Sequence, residues 1–384
     1  MGNSITRTDS LDGGTRIFIE CAKRWLGTGI KIYFFTSEEG YEQLHRYGLK
    51  SIKYIVAYSS KYQKLGLYAL YAVRMIKQCL NAIKIKPASG VTVIYSGSDF
   101  WPDAIPAFVM KMRFKRAKWV AGFYLFASNP FSSETPYKGK AVLKGLIYYL
   151  SQIPVYYLVR KYADMVWVTS ELDRWRFIDN KKFTYSKVVA VRGGVDINTP
   201  TLIPEPQTKN FDVVFIGRFH PQKGVLELID IWKAVCAKKN NAKLAMIGVG
   251  ELENAVMNKI KRYDLEQNIV LFGFKDGIEK IKIFRDSRVV VHPAIYDSGG
   301  MAACEAMACG LPGVSFDLPA LKTYYPKGML KTPCFDLEAF ALNILKLLKD
   351  ESFYKKTATD ALDWAKEWDW DKRAIVLLDA IRNS

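Results

Sequence analysis

The chain has little of what a metal site or a disulfide scaffold needs. Its six cysteines (Cys21, Cys79, Cys236, Cys304, Cys309 and Cys334) include no CxxC pair, and only three histidines occur, His45, His220 and His292. Zinc-ligand spacing is therefore missing, and no metal is expected. Reduced thiols in a cytoplasmic protein follow as the expectation. No apolar segment ahead of a cleavage site opens the sequence, which argues against secretion. The opening MGNSIT fits the N-myristoylation pattern M-G-x-x-x-[ST], a pattern short enough to recur by chance. The aromatic stretch 145–159 has 15 uncharged residues, and a membrane-spanning helix needs roughly 20. Internal repeats and low-complexity tracts are absent.

Acidic residues are scarce in one half only. Residues 1–195 hold 30 Lys+Arg against 13 Asp+Glu, a balance of +17, and the rest of the chain carries +1 of the total +18. A field placed this unevenly concentrates polyanions or an anionic membrane near one domain. Nucleic acid is not the expected partner, because no recognition motif accompanies the cations.

At 384 residues the chain suits two domains of about 150–200 residues. The seam is the proline-rich 196–210, DINTPTLIPEPQTKN. Beyond it, FDVVFIG, KLAMIGVG, NIVLFGF and SRVVVHPA are short apolar runs that read as buried parallel strands, with helical spacing between them. The first half repeats the pattern with strands in IKIYFFTS, KYIVAY, VTVIYS, KWVAGFY and MVWVTS, and helices at about 15–26, 63–83, 103–115, 139–160 and 171–179. Two doubly wound α/β domains are expected, 1–195 and 196–365, with ligands at the carboxyl ends of the strands and a cleft between the domains. Only MGNSITRTDSL precedes Asp12-Gly13-Gly14, so the first strand is either very short or incomplete.

Five loops at strand ends carry unusual residues. IGRFHPQKG places Arg218 and Lys223 on a loop bounded by Gly217 and Gly224. Two cations there suit a diphosphate, against the plainer reading of surface cations on a βα loop. In IGVGELE, Gly248 and Gly250 allow backbone to approach a ligand, or simply meet the needs of a turn. Phe274 and Lys275 follow the third strand, where Phe274 offers a ring to a planar base or ends a buried strand. The fourth loop, HPAIYDSGGMAACEAMACG, carries Asp297 just outside a helix starting near Gly300 and Glu305 roughly 7–8 Å further along it. Small neighbours imply that the helix is buried, and a buried carboxylate without partners is costly, so ligand hydroxyls would account for Glu305. The fifth loop, with Gly13 and Gly14, opens the first helix of the other domain.

These loops in this order resemble the retaining nucleotide-sugar glycosyltransferases of family 4, which have the GT-B fold. The resemblance spans nearly the whole chain and is strongest in VRGGVD (191–196), GRFHPQKG, IGVGELE and YDSGGMAACEAMACGLPGV (296–314). WAKEWDWDKR resembles that family's closing helix, which at about 366–384 would join the first domain. The E-x7-E signature stands here as Asp297-x7-Glu305. The resemblance implies that Arg218 and Lys223 neutralise the donor diphosphate and Glu305 accepts the ribose hydroxyls. It implies that Asp297 contacts the transferred sugar, helped by the N–H groups of Ser298, Gly299, Gly300 and Met301. Gly217, Gly248, Gly250, Phe274 and Lys275 would line the nucleotide site, and Gly13 and Gly14 would close over the phosphates. No metal or cofactor is implied. Replacing Arg218 or Lys223 is expected to lower turnover with the fold intact. The family's acceptor-domain histidine has no counterpart between 46 and 219, where Tyr124, Ser128 or Asn129 is left to take its contacts.

The donor is expected to be a UDP- or GDP-sugar. The acceptor is expected to be a glycan or a lipid-linked, polyprenyl-phosphate-type molecule, because both phosphate and membrane favour the cationic domain. MKMRFKRAKW (110–119) holds five cations with aromatics between them, and the aromatic 137–162 is the candidate interfacial segment on the cytoplasmic face, with a core helix as its plainer reading. The alternatives are a nucleotide-sugar epimerase on the same fold and a non-catalytic nucleotide-sugar binder.

Overall fold

The structure is a computed structural model that describes all residues except 6–10, 12, 87–91, 133, 134, 138, 140, 180 and 384. Asp12 and part of the opening MGNSITRTDSL thus lie outside the described residues. The chain forms two compact units. One comprises Met1–Pro130, Gly139–Gly193 and Trp370–Ser384, and the other Phe131–Lys138 and Gly194–Asp369.

Among the described residues the first unit contains α1 (Gly13–Leu26), β1 (Tyr33–Ser37), α2 (Glu38–Arg46), β2 (Lys53–Ala57), α3 (Leu67–Lys84), β3 (Val93–Ser96), α4 (Trp101–Arg113), β4 (Lys118–Gly122), α5 (Ala141–Tyr162), β5 (Met165–Val168), α6 (Glu171–Arg174) and β6 (Val188–Ala190). Strands β3-β4-β5-β6 form one parallel sheet and β1-β2 another. Residues 1–5 fill the gap between them. The Gly2 N–H donates to the Phe35 carbonyl at 2.9 Å, and the Met1 carbonyl accepts from Gly97 N–H at 2.9 Å. The strand-like contact made by these residues is a single bridge from Gly2 to Thr36.

The second unit contains β7 (Phe211–Ile216), α7 (Val225–Lys238), β8 (Leu244–Ile247), α8 (Glu253–Arg262), β9 (Ile269–Leu271), α9 (Gly277–Arg285), β10 (Ser287–His292), α10 (Met301–Met307), β11 (Gly313–Phe316), α11 (Pro319–Tyr324), β12 (Met329–Thr332), α12 (Leu337–Lys349) and α13 (Glu351–Lys366). Its six strands are parallel in the order β12-β11-β10-β7-β8-β9. Alternate strand residues feed two cores, because successive side chains point to opposite faces. Val213 and Phe215 pack with α7, α8 and α12, whereas Val214 and Val290 pack with α9, α10 and α13. The strand order reverses between β7 and β10, and ligands of doubly wound sheets bind at that switch point.

The closing helix expected at about 366–384 is Trp370–Arg382, and WAKEWDWDKR spans the junction between it and α13. After α13 the chain turns at Trp368, which is fully buried with its ring 4.3 Å from that of Tyr324. It continues as α14 (Trp370–Arg382), which belongs to the first unit. There the Trp25 indole donates to the Ala374 carbonyl at 2.9 Å and Arg24 pairs with Asp371 at 2.5 Å. The seam 196–210 is part of the second unit and includes a 3-10 turn at Thr199–Leu202. No helix among the described residues is long and apolar enough to cross a membrane.

Candidate active site

The loops after β7 and β10 leave the sheet on either side of the switch point and are locked together. Gly224, in the left-handed region at φ 62°, ends the Pro221–Lys223 turn, and any Cβ there would strike the Pro293 carbonyl. The Gln222 carbonyl accepts from Ile295 N–H at 3.1 Å, and His220 Nδ1 accepts from Gln222 N–H at 3.2 Å. These contacts bring together two side chains that are 74 positions apart. The Lys223 ammonium donates to Asp297 Oδ2.

Asp297 is held from both loops. Its Oδ1 accepts from Ser298 N–H at 3.0 Å and Gly299 N–H at 3.4 Å. Oδ2, besides Lys223, lies 3.3 Å from His292 Nε2 without the alignment of a full hydrogen bond. Burial alone would raise the carboxyl pKa, but the Lys223 charge and His292 hold it well below the usual carboxylate range. The buried His292 is itself pushed below its ordinary value by desolvation, against the pull of Asp297, with Lys223 and Lys331 adding repulsion. A neutral imidazole facing an ionised carboxylate follows.

Gly300 must be glycine at this point, because a Cβ would lie 2.5 Å from Tyr325 Oη and 3.1 Å from His292 Nε2. His292, Ser315 and Lys331 are in register across β10, β11 and β12, so they form one polar row on the α10 side of the sheet. Lys331 Nζ donates to Ser315 Oγ at 3.3 Å and lies 5.3 Å from the Tyr325 ring centre. Burial pushes its pKa down to about 8.

Glu305, on α10, is not waiting for a partner. Lys280, buried on α9, donates to Glu305 Oε2 at 2.9 Å and to Asp276 Oδ1 at 2.8 Å. Ligand hydroxyls, expected to account for this carboxylate, are not needed to balance it, because Lys280 already pairs with it within the fold. Lys280 was missed because nothing in a 25-residue separation marks the pairing. His292 and Lys331 were missed too, although the HP at the end of an apolar strand was a visible signal for the histidine.

The glycines also read differently. Gly248 and Gly250 lie against the backbone carbonyls of Gly217 and Phe219, which would clash with any Cβ. Gly217 N–H donates to the Ile247 carbonyl at 3.0 Å and Phe219 N–H to that of Val249 at 3.0 Å. Their lack of side chains lets the loops after β7 and β8 zip together, so ligand approach is not what requires it. Arg218 projects from the zipped segment, exposed, and its side chain has no hydrogen bond or ion pair among the described residues. Phe274 is exposed, against the alternative of a buried strand end, and Lys275 pairs with Glu279 at 3.3 Å. Ser298 and Gly299 spend their N–H groups on Asp297, and Met301 opens α10.

In the first unit, Gly13 is exposed at the start of α1, and a Cβ on buried Gly14 would meet the Tyr124 ring at 2.9 Å. The Tyr124 hydroxyl shares a 2.5 Å hydrogen bond with that of Tyr95.

Residues 203–364 match the family "Glycosyl transferases group 1". The chain is 25% identical over 345 residues to an uncharacterized glycosyltransferase of Methanocaldococcus jannaschii, a match covering 79% of this chain and 82% of that protein. It is 26% identical to the phosphatidyl-myo-inositol mannosyltransferase of Mycobacterium leprae over 48% of this chain and 50% of that one. Among solved structures, Anabaena HepE in complex with UDP and glucose superposes with a TM-score of 0.72 at 16% identity, covering 99% and 98% of the two chains. Such neighbours establish the fold as GT-B, an α/β architecture of parallel sheets.

Proposed function

We propose that the protein is a retaining glycosyltransferase that moves a sugar from a UDP- or GDP-sugar to a glycan or lipid-linked acceptor at an anionic membrane surface. In this reading the second unit binds the donor and the first unit binds the acceptor. The observation that carries it is the buried Asp297 carboxylate held by Lys223 at the β7/β10 switch point, with the unpaired Arg218 on the same loop. The match to glycosyl transferases group 1 and the UDP-sugar ligands of a neighbour of this fold support it.

The chemistry follows from charge. Cleavage of the anomeric C–O bond leaves negative charge on the nucleoside diphosphate. Arg218 and Lys223 stabilise it, each worth roughly 10²–10³ in rate by comparison with oxyanion donors. The acceptor hydroxyl attacks from the face the phosphate leaves, and its proton passes to a departing phosphate oxygen, so that no histidine is needed as base. Asp297 stays ionised beside neutral His292 and accepts from hydroxyls of the transferred sugar. Glu305, oriented by Lys280, accepts from the ribose. Gly300 and Met301 keep N–H groups for the donor, whereas those of Ser298 and Gly299 fix Asp297. Phe274 and Lys275 flank the base, and the Gly13–Gly14 turn serves the acceptor unit.

The test is thermal stabilisation by UDP, GDP and their sugar conjugates, followed by product analysis with EDTA present. Release of nucleoside diphosphate in an acceptor-dependent manner is expected. An epimerised donor, or no response to either nucleotide, refutes the reading.

A further inference from the structure

Helix α3 is built inside out. Its buried positions are Leu70, Arg74, Gln78 and Ala82, four apart, so two of the four side chains on the inner face are strongly polar. Tyr68, Ile76, Leu80 and Ile83 point outward, each more than half exposed. A surface helix of a water-soluble domain shows the opposite arrangement.

The polar inner face is fixed by its partners. The Arg74 guanidinium donates to the carbonyls of Asn3 and Ile5 at 3.1 and 2.8 Å and to Ser59 Oγ at 3.0 Å, and it pairs with Glu39 at 2.6 Å. Gln78 Nε2 donates to Asn3 Oδ1 at 2.8 Å and to the Thr36 carbonyl at 2.9 Å. These bonds satisfy backbone groups of Asn3, Ile5 and β1, so rotating the helix to hide its apolar face would orphan them. The outward stripe is therefore a permanent feature, about 22 Å long at 1.5 Å per residue.

Charge tells what covers it. No acidic residue occurs from 43 to 98, and Lys61, Lys64, Lys84 and Lys86 are exposed around the helix. Arg113, at the end of α4, donates to the carbonyls of Ala82 and Ile85 at the end of α3. Exposed Lys115 and Arg116 follow it. A second copy of this chain would set cations against cations. The crossovers carrying α3, α4 and α5 run in one direction along the sheet, which places them on one face. There α5, also without an acidic residue, leaves Leu150 and Tyr157 more than half exposed.

We propose that the α3–α4–α5 layer lies on an anionic lipid bilayer, with the outward row of α3 in the headgroup–acyl boundary and the flanking lysines and arginines on lipid phosphates. Apolar insertion and charge attraction add in such a contact. The proposal rests on the reading of a lipid-linked acceptor, and it specifies the surface that reading lacked.

The experiment is co-sedimentation of the full chain with phosphatidylglycerol-containing vesicles and with pure phosphatidylcholine vesicles, alongside the Ile76→Glu/Leu80→Glu variant. Both positions are outward, so the variant is expected to fold, which its thermal midpoint and UDP affinity will verify. Expected is binding to the anionic vesicles only, weakened about tenfold or more in the variant. Equal binding by the variant, or no binding by the unaltered chain, overturns the proposal. So does a dimer, detected without lipid by analytical ultracentrifugation, that the variant dissociates. Nucleotide binding on the same samples separates the two readings. A chain that binds UDP and ignores vesicles refutes the bilayer alone, and one that binds vesicles and no nucleotide refutes the donor site alone.

Discussion

Lys223 and Asp297 are hydrogen-bonded to each other. The group assigned to the diphosphate and the group assigned to the sugar thus neutralise one another before any donor arrives. Removing the lysine takes the cation from a buried carboxylate and leaves it the Ser298 and Gly299 N–H groups and a neutral imidazole. Lys223→Ala is therefore expected to lose roughly 3 kcal/mol of stability as well as turnover, which revises the expectation that the fold stays intact. Lys223→Met with Asp297→Asn should recover the thermal midpoint and leave turnover abolished. Calorimetry and a turnover assay on the three proteins check this.

Arg218 is the contrasting case. It is exposed and has no structural partner among the described residues, so Arg218→Ala should leave stability within about 0.5 kcal/mol. Its kcat should fall roughly 10²–10³-fold, the loss seen when one charge-stabilising donor is removed. Equal activity in the variant would remove Arg218 from the site.

Lys280 sits 2.9 Å from Glu305 and 2.8 Å from Asp276. Lys280→Met removes the ammonium that two carboxylates share and should lower both the thermal midpoint and the affinity for UDP or GDP. Adding Glu305→Leu should restore part of the stability without restoring affinity, since a well-packed apolar pair replaces a buried ionic one at little cost. Titration calorimetry with the nucleoside diphosphate separates the two effects.

Lys331 gives a pH dependence with a definite sign. Its folded pKa is depressed from 10.5 to about 8 by burial. The folded state therefore bears the full penalty of a buried ammonium below about pH 8 and is relieved of it as pH rises towards 10.5. Lys331→Met should be more stable than the unaltered chain at pH 7 by on the order of 2–3 kcal/mol, with the difference shrinking by pH 10. Paired thermal melts across that range measure it.

Much of the fold was legible because parallel strands buried on both faces read as short apolar runs, as in LAMI (244–247). Arg218, Lys223 and Asp297 were legible for the same reason, since each follows the end of such a run. What was not legible is lateral. The pairing of Lys280 with Glu305, and the row His292–Ser315–Lys331, depend on which strands and helices lie side by side, and no local periodicity encodes that. Helix α3 was located within a few residues, yet its outward apolar stripe depends on what Arg74 and Gln78 bond to, and those partners are up to 75 positions away. Gly248 and Gly250 show the converse. The sequence marked them correctly as special, but the reason is a neighbouring loop's carbonyl oxygens.

Helix α14 follows the whole second unit in the chain yet packs on the first, through Trp25 and Arg24 of α1 and Lys118 of β4. During synthesis the first unit is consequently completed only after the second has emerged. Until Trp370–Arg382 leaves the ribosome, the indole of Trp25 lacks its hydrogen-bond acceptor and the neighbouring face of α1 lacks its cover. A stop codon anywhere in the second unit would therefore deprive both units, and a fragment meant to isolate the first must carry the final helix with it.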